Sequence, residues 1–259
     1  FTKNSNGIFF SSQTNILHEL TGKKSDINYN QIYRYLVNGY KSLHKDENTF
    51  YENIFELKPS TSWIINPDLN IKEIKYWTPK YNPKKISKED AIDGVKHHLK
   101  ESLKLRLRSD VPIGFCLSGG IDSASIASMA SKEFNANIKT FSIIDPHKNY
   151  NEEDNIDQTI RDLECDYIKI RLSTDNMLER LKHLINYHDA PLITMSYLTH
   201  SMLSEKINEN GIKVAFSGTG ADELFTGYYD HYNLHLFEMS KSKKFKKTLS
   251  DWKINIEKN

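Results

Sequence analysis

Leu117-Ser118-Gly119-Gly120-Ile121-Asp122-Ser123 stands between an apolar run, Val111 to Leu117, and a small-residue segment holding Ala124, Ser125, Ala127, Ser128 and Ala130. Two adjacent glycines let the backbone turn sharply and present successive N–H groups as a concave nest for an anion. A helix starting there adds its own unpaired N–H groups and the positive end of its dipole, about half a unit charge. Ser118 and Ser123 add hydroxyl donors, so a phosphate is the ligand such a loop fits. No lysine follows the glycines, which excludes a Walker A loop. Asp122 would repel a phosphate unless a cation bridged the two, so the arrangement calls for magnesium (Mg2+) with Asp122 as a ligand. The plainer reading is a tight strand-to-helix turn in which Asp122 complements the helix dipole. It leaves the offsets of Asp122 and Ser123 after an apolar strand unexplained.

A second stretch repeats the design. Val214-Ala215-Phe216 reads as a short buried strand, Ser217-Gly218-Thr219-Gly220 as another glycine turn, and Ala221-Asp222-Glu223-Leu224-Phe225 as the start of a helix. An acidic first turn is worth about 0.3–1 kcal/mol per charge through the helix dipole, which accounts for Asp222 and Glu223 without function. It does not account for a second glycine turn after a second apolar strand. In a doubly wound sheet, loops at the carboxyl ends of neighbouring strands converge on one crevice, where Asp222 would share the cation with Asp122.

The elements that must hold these loops are readable around them. From residue 111 on, strands at 111–117, 138–144, 166–170 and 214–216 alternate with helices at 123–134, 151–164 and 174–188. That alternation predicts an α/β fold with a doubly wound parallel sheet covered on both faces. Upstream, Ser87 with Asp90 forms a capping box before Ala91, Val95, Leu99, Leu103 and Leu107 at intervals of four. The segment Pro79 to Ser87, with two prolines, reads as a linker. Before it the texture changes to short apolar runs, at 8–10, 54–57, 63–65 and 71–77, separated by turn formers such as Asn66-Pro67-Asp68. These read as antiparallel hairpins. Tyr29 to Gly39 has a helical pattern, with Ile32, Tyr35 and Leu36 on one face and Gly39 as C-cap. The expected domains are 1–78 and 79–259.

Bulk properties exclude several classes. The 35 Lys+Arg nearly cancel 34 Asp+Glu, so no nucleic-acid partner held by overall charge is expected. The 259 residues divide into one large or two modest domains. Two cysteines rule out a disulfide scaffold and Cys-rich zinc patterns, and point to a reducing, cytoplasmic compartment. No apolar stretch approaches the roughly 18 residues of a bilayer span, so no membrane partner is expected.

With these residues in view, Leu107-Arg108-Ser109-Asp110-Val111-Pro112-Ile113-Gly114 running into Leu117–Ser123 resembles the pyrophosphate-loop region of glutamine-hydrolysing asparagine synthetases. Phe216 to Tyr228, FSGTGADELFTGY, is similar to that family's second ATP-site loop. Asn53 to Trp77 is similar to the last strands of its glutaminase domain. The resemblance implies an ATP pyrophosphatase domain preceded by the C-terminal part of an α+β N-terminal nucleophile domain. It implies an ATP-dependent amidotransferase that adenylates a carboxylate, usually aspartate, releases pyrophosphate, and amidates the product with ammonia from glutamine. Carried over by position, Leu117 and Ile143 would flank the adenine. Ser118, Gly119, Gly120 and Ser123 would hold phosphates, Ser217 and Gly218 would touch the nucleotide, and Asp122 and Asp222 would hold Mg2+. Thr219 and Glu223 are the candidate catalytic residues. Thr219 stands where the family carries an acid, and a hydroxyl is a poor general base at neutral pH. The chain is expected to be the middle of a longer protein. It starts late in the nucleophile domain, without an N-terminal Cys, and ends before the family's later helices. A homodimer stays open as its assembly. The rival expectations are another adenylating ATP pyrophosphatase acting on a different carboxylate, and a nucleotide-binding module without amide chemistry.

Other constellations carry less. His231 and His235 lie i, i+4 on an expected helix but lack the glutamate of a zinc-protease motif, and His97 and His98 need only a polar flank. His188-Asp189-Ala190-Pro191 falls near the family's substrate-contacting region. Cys116 and Cys165 read as small core residues. The Lys-rich stretch from Ser240 reads as a solvated helix or tail.

Overall fold

A computed structural model describes residues 1–256. In chain order the elements are β1 (Thr2–Asn4), β2 (Gly7–Phe9), α1 (Thr14–Thr21), α2 (Tyr29–Asn38), a 3-10 segment (Tyr40–Lys45), β3 (Thr61–Ile65), β4 (Ile71–Lys75) and α3 (Lys88–Arg106). Then follow β5 (Ile113–Cys116), α4 (Ile121–Phe134), β6 (Lys139–Ile144), α5 (Glu153–Leu163), β7 (Asp166–Arg171), α6 (Met177–His188), α7 (Ser196–Glu209), β8 (Val214–Phe216), α8 (Ala221–Phe225), α9 (Tyr229–Met239) and α10 (Phe245–Asn255). The chain forms two units. One takes residues 1–91 and 173–202, the other residues 92–172 and the chain from Leu203 on.

In the first unit, β1 pairs antiparallel with β2 and β3 with β4. The β3–β4 turn falls at the expected Asn66, whose Oδ1 accepts from Asn70 N–H at 2.8 Å. Gly39 ends α2 with φ 71°, a left-handed value that suits glycine. Two expectations fail here. Residues 54–57 form no strand: Phe55 makes only an isolated bridge to Asn48, because its N–H goes to Phe1 O and that of Glu56 goes to Glu47 O. Leu36 lies 70% exposed, and α2 instead buries Gln31, whose Nε2 donates to Leu43 O and Asn48 O, each at 3.0 Å. A buried amide with both partners satisfied outranks an apolar stripe in setting which face turns inward.

The second unit is built on a parallel sheet in the order β7-β6-β5-β8. The period of two along each strand sorts side chains to its faces. On one face Phe115 packs with Ala127 and Ala130 of α4, Leu103 of α3 and Ile138. The small alanines let α4 approach closely. On the same face Leu117 and Ile144 meet Ile156 and Ile160 of α5. On the other face Phe141 packs with Ile207 of α7 and with Ile212, joined by Cys116 and Ile168. Helices thus cover both faces, as the alternating pattern predicted.

Three details differ from expectation. The capping box opens α3 as read, with Asp90 N–H donating to Ser87 Oγ at 3.0 Å. Of its stripe, however, only Leu103 is fully buried, and Val95 is exposed. β8 was expected to be buried, yet Val214 and Ala215 are exposed because, among the described residues, the strand lies at the sheet's edge and pairs with β5 alone. Helices α1 and α7 are not among the expected helices. Among the described residues no helix is long and apolar enough to cross a membrane.

Candidate active site

β6 and β7 extend the sheet on one side of β5, and the chain then returns to place β8 on the other side. The topological switch therefore lies between β5 and β8, where ligands of open α/β sheets bind. Their parallel register pairs Ile113 with Val214, Gly114 with Ala215 and Phe115 with Phe216. The last pair also stacks, ring centroids 5.2 Å apart at 10°. Both glycine bends thus leave the carboxyl end of the sheet from adjacent strands.

The first bend is organised by its own serines. Ser123 Oγ accepts from Ser118 N–H at 3.0 Å and lies 3.0 Å from Ser118 Oγ, which in turn accepts from Gly120 N–H at 3.2 Å. Ser123 is buried, so this hydroxyl pair shapes the loop from within. Leu117 N–H donates to Phe141 O at 2.9 Å and keeps the bend in register with β6. Gly120 is the N-cap of α4 and supplies no capping side chain, so the helix's first N–H groups face the bend. Asp122 sits in that first turn, half-buried. The Leu117 side chain is buried with Ile144, Ile156 and Ile160, and Ile143 lies half-buried near the end of β6.

The second bend presses against the first. A Cβ added to Gly218 would stand 2.9 Å from Ser123 N and 3.0 Å from Asp122 Cβ, so backbone meets backbone there. Ser217 Oγ accepts from Thr219 N–H at 3.2 Å and lies 2.7 Å from Thr219 Oγ1. Gly220, at φ 97°, precedes α8. The Asp222 carboxylate lies over Gly227, so a side chain at that position would have to displace it. Glu223 Oε1 accepts from Tyr228 O–H at 2.6 Å, and this bond holds its carboxyl below the usual range. His231 Nδ1 accepts from Gly227 N–H at 3.3 Å.

One residue of the site escaped the sequence reading. Glu152, just ahead of α5, turns its Oε2 onto Gly119 N–H at 2.9 Å. Its backbone is so close that a Cβ on Gly119 would meet Glu152 Cβ at 2.5 Å. In sequence Glu152 is one acid in a run of three at an expected helix start, and dipole complementation explains such a run.

The remaining candidates have partners of their own. His188 and Asp189 belong to the first unit, where Asp189 Oδ1 accepts from Tyr51 O–H at 2.7 Å and Oδ2 lies 3.6 Å from His18 Nδ1. Burial raises the thiol pKa of both Cys116 and Cys165, in keeping with core rather than nucleophilic roles.

The bends fit a phosphate group. Glycines stand where side chains would block the approach, and hydroxyls and N–H groups surround the start of α4. Asp122 opens α4 and Asp222 opens α8, one carboxylate from each bend, and Mg2+ takes one or two carboxylates with the rest of its shell from water and phosphate. Among the described residues no cluster of three or more His, Cys, Asp or Glu forms an all-protein metal cage.

Two glycine bends at the switch point of a parallel sheet covered by helices place the second unit among doubly wound α/β proteins. Residues 94–256 match the family model described as Asparagine synthase, and the chain belongs to that family. It is 30% identical over 183 residues to "Asparagine synthetase [glutamine-hydrolyzing] 1" of Bacillus subtilis, covering 71% of this chain and 29% of that one. It is 32% identical over 222 residues to "Putative asparagine synthetase [glutamine-hydrolyzing] 2" of Methanocaldococcus jannaschii, covering 82% and 40%. It is 28% identical over 202 residues to "Amidase chyE" of Penicillium rubens, covering 71% and 30%. The aligned part thus spans 29–40% of the length of these relatives.

Proposed function

We propose that the second unit binds ATP with Mg2+ between the two glycine bends and transfers its adenylyl group to a carboxylate with release of pyrophosphate, after which ammonia displaces AMP to form the amide. The observation that supports this most is the meeting of Gly218 with the Ser123 backbone at the start of α4. It makes one anion site of two loops from adjacent strands. Ser118, Gly119, Gly120 and Ser123 would hold the phosphates, Ser217 and Gly218 would contact the nucleotide, and Ile143 with the backbone of Leu117, whose side chain is buried, would border the adenine. Asp122 and Asp222 would hold Mg2+, whose charge offsets that of the departing pyrophosphate.

The relatives named as glutamine-hydrolysing asparagine synthetases favour aspartate as acceptor and glutamine as nitrogen source. On this reading residues 1–78 are the end of a glutaminase-type domain, residues 79–259 belong to the synthetase domain, and the protein works in the cytoplasm. A second reading, a nucleotide-binding module without amide chemistry, is favoured by the proton-handling groups. Thr219 offers a hydroxyl, and Glu223 is held low by Tyr228, so neither is tuned as a base at neutral pH.

The test is exchange of labelled pyrophosphate into ATP across a panel of carboxylic acids. Exchange with aspartate alone supports the asparagine-forming reading, and exchange with another acid alone points to a different acceptor carboxylate. ATP binding without exchange under any acid removes adenylation. Asp122→Ala should weaken Mg2+-dependent ATP binding, and unchanged affinity would remove the metal assignment.

A further inference from the structure

Three N–H groups of the first bend are occupied from within the protein. Ser118 N–H is held by Ser123 Oγ and Gly120 N–H by Ser118 Oγ, whereas Gly119 N–H is held by the Glu152 carboxylate. The difference in charge matters. A hydroxyl can accept from the backbone and still donate to an incoming phosphate oxygen, so the serines can stay in place when an anion arrives. A carboxylate can only accept, and a phosphate drawn to the same N–H meets its full negative charge at contact distance.

We propose that Glu152 is a built-in competitor for the phosphate position, so that nucleotide or pyrophosphate binds only as this carboxylate swings away from Gly119. The inference rests on the nucleotide reading above and adds a control to it. Two further features fit the role. The backbone of Glu152 is fixed against the bend, since Gly119 has no space for a Cβ on that side and Asn155 Cβ closes it further at 3.1 Å. The Glu152 side chain itself is exposed, so its rotation into water meets no packing barrier. The ligand-free bend is thereby kept satisfied, and weak anions such as chloride or bicarbonate face the same exclusion. A polyphosphate with its cation replaces the lost bond several times over. Escape of pyrophosphate after adenylyl transfer would be assisted as the carboxylate returns.

The test is calorimetric titration of the intact chain with Mg2+–ATP and, separately, Mg2+–pyrophosphate, using wild type, Glu152→Gln and Asp154→Asn. Asp154 is an exposed acid in the first turn of α5 and controls for net charge. Glu152→Gln should bind both ligands at least tenfold more tightly, with Asp154→Asn within about twofold of wild type. In the ligand-free state the Gly119 amide proton should shift in Glu152→Gln and not in Asp154→Asn. Binding by wild type with equal or weaker binding by Glu152→Gln would overturn the competitor role while leaving the nucleotide site standing. An equal gain in Asp154→Asn would reduce the effect to general charge and overturn it too. Binding by Glu152→Gln alone would support it, and silence from all three proteins would overturn both the site and the gate.

Discussion

Gly218 approaches the Ser123 backbone nitrogen so closely that a methyl group on its Cα would stand 2.9 Å from it. Close approach rather than an unusual backbone angle requires glycine here. Gly218→Ala should push the second bend off α4 and weaken Mg2+–ATP binding at least tenfold, at a stability cost of about 1–3 kcal/mol. Gly220 is the informative comparison. Its φ is 97° and nothing lies within 4 Å of an added Cβ, so Gly220→Ala strains the backbone without separating the loops. Calorimetry and thermal melts on both variants check this. Equal affinity losses would show that loop strain, and not the contact, governs binding.

The buried Ser123 hydroxyl is the hub of the first bend. It accepts from Ser118 N–H and also reaches Ser118 O and Gly120 O, each at 3.3 Å. Ser123→Ala leaves a partly buried N–H unpaired and should cost about 1–3 kcal/mol. Ser118→Ala frees the more exposed Gly120 N–H and removes the contact to Ser123 Oγ, which keeps its carbonyl partners, and should cost less. Urea titrations rank the two, and the reverse order would contradict the hub role.

Cys116 should be slow to alkylate in the folded protein. Burial pushes its thiol above the ordinary 9.0, so less thiolate exists at a given pH than in the unfolded chain. Iodoacetamide at pH 8 should label it at least tenfold more slowly than in urea, with the folded-state rate climbing as pH passes 9. The same shift sets the sign for stability. The raised folded pKa leaves this contribution whole below the unfolded value and removes it as pH rises through the folded one. Mass spectrometry of the labelled peptides checks the rates.

The bends were readable from sequence because they depend on residue type at fixed offsets: glycines after a strand, then an acid and small residues opening a helix. The parallel sheet was readable because apolar strands such as 139–144 alternate with helices long enough to cover them. What stayed hidden depends on partners distant in the chain. Gln31 turns inward because Leu43 O and Asn48 O wait for its amide. Phe55 leaves the strand pattern because its N–H goes to Phe1 O. Glu152 meets Gly119 across 33 residues, and no local periodicity reports such a meeting. The exposure of β8 follows from strand order, which the local pattern of Val214-Ala215-Phe216 does not carry.

The anchoring of α5, which delivers Glu152, rests partly on Lys169 of β7. Its Nζ lies 2.5 Å from Asp157 Oδ1 and 2.8 Å from Glu153 Oε1, tying strand to helix one residue beyond Glu152. The Asp157 bond first, and the Glu153 bond second, raise the lysine above its ordinary 10.5. A raised folded pKa means that the stabilisation is complete below the unfolded value and is lost as pH climbs through the folded one. Lys169→Met keeps the stem and removes the charge. It should cost about 1 kcal/mol near neutral pH, since the three groups form a small network at a partly exposed site. The difference in melting temperature from wild type should shrink in about 1 M salt, where screening acts within about 3 Å, and again as the pH is taken above the ordinary lysine range. A difference that survives both conditions would mean that the lysine acts through the packing of its stem and not through its charge.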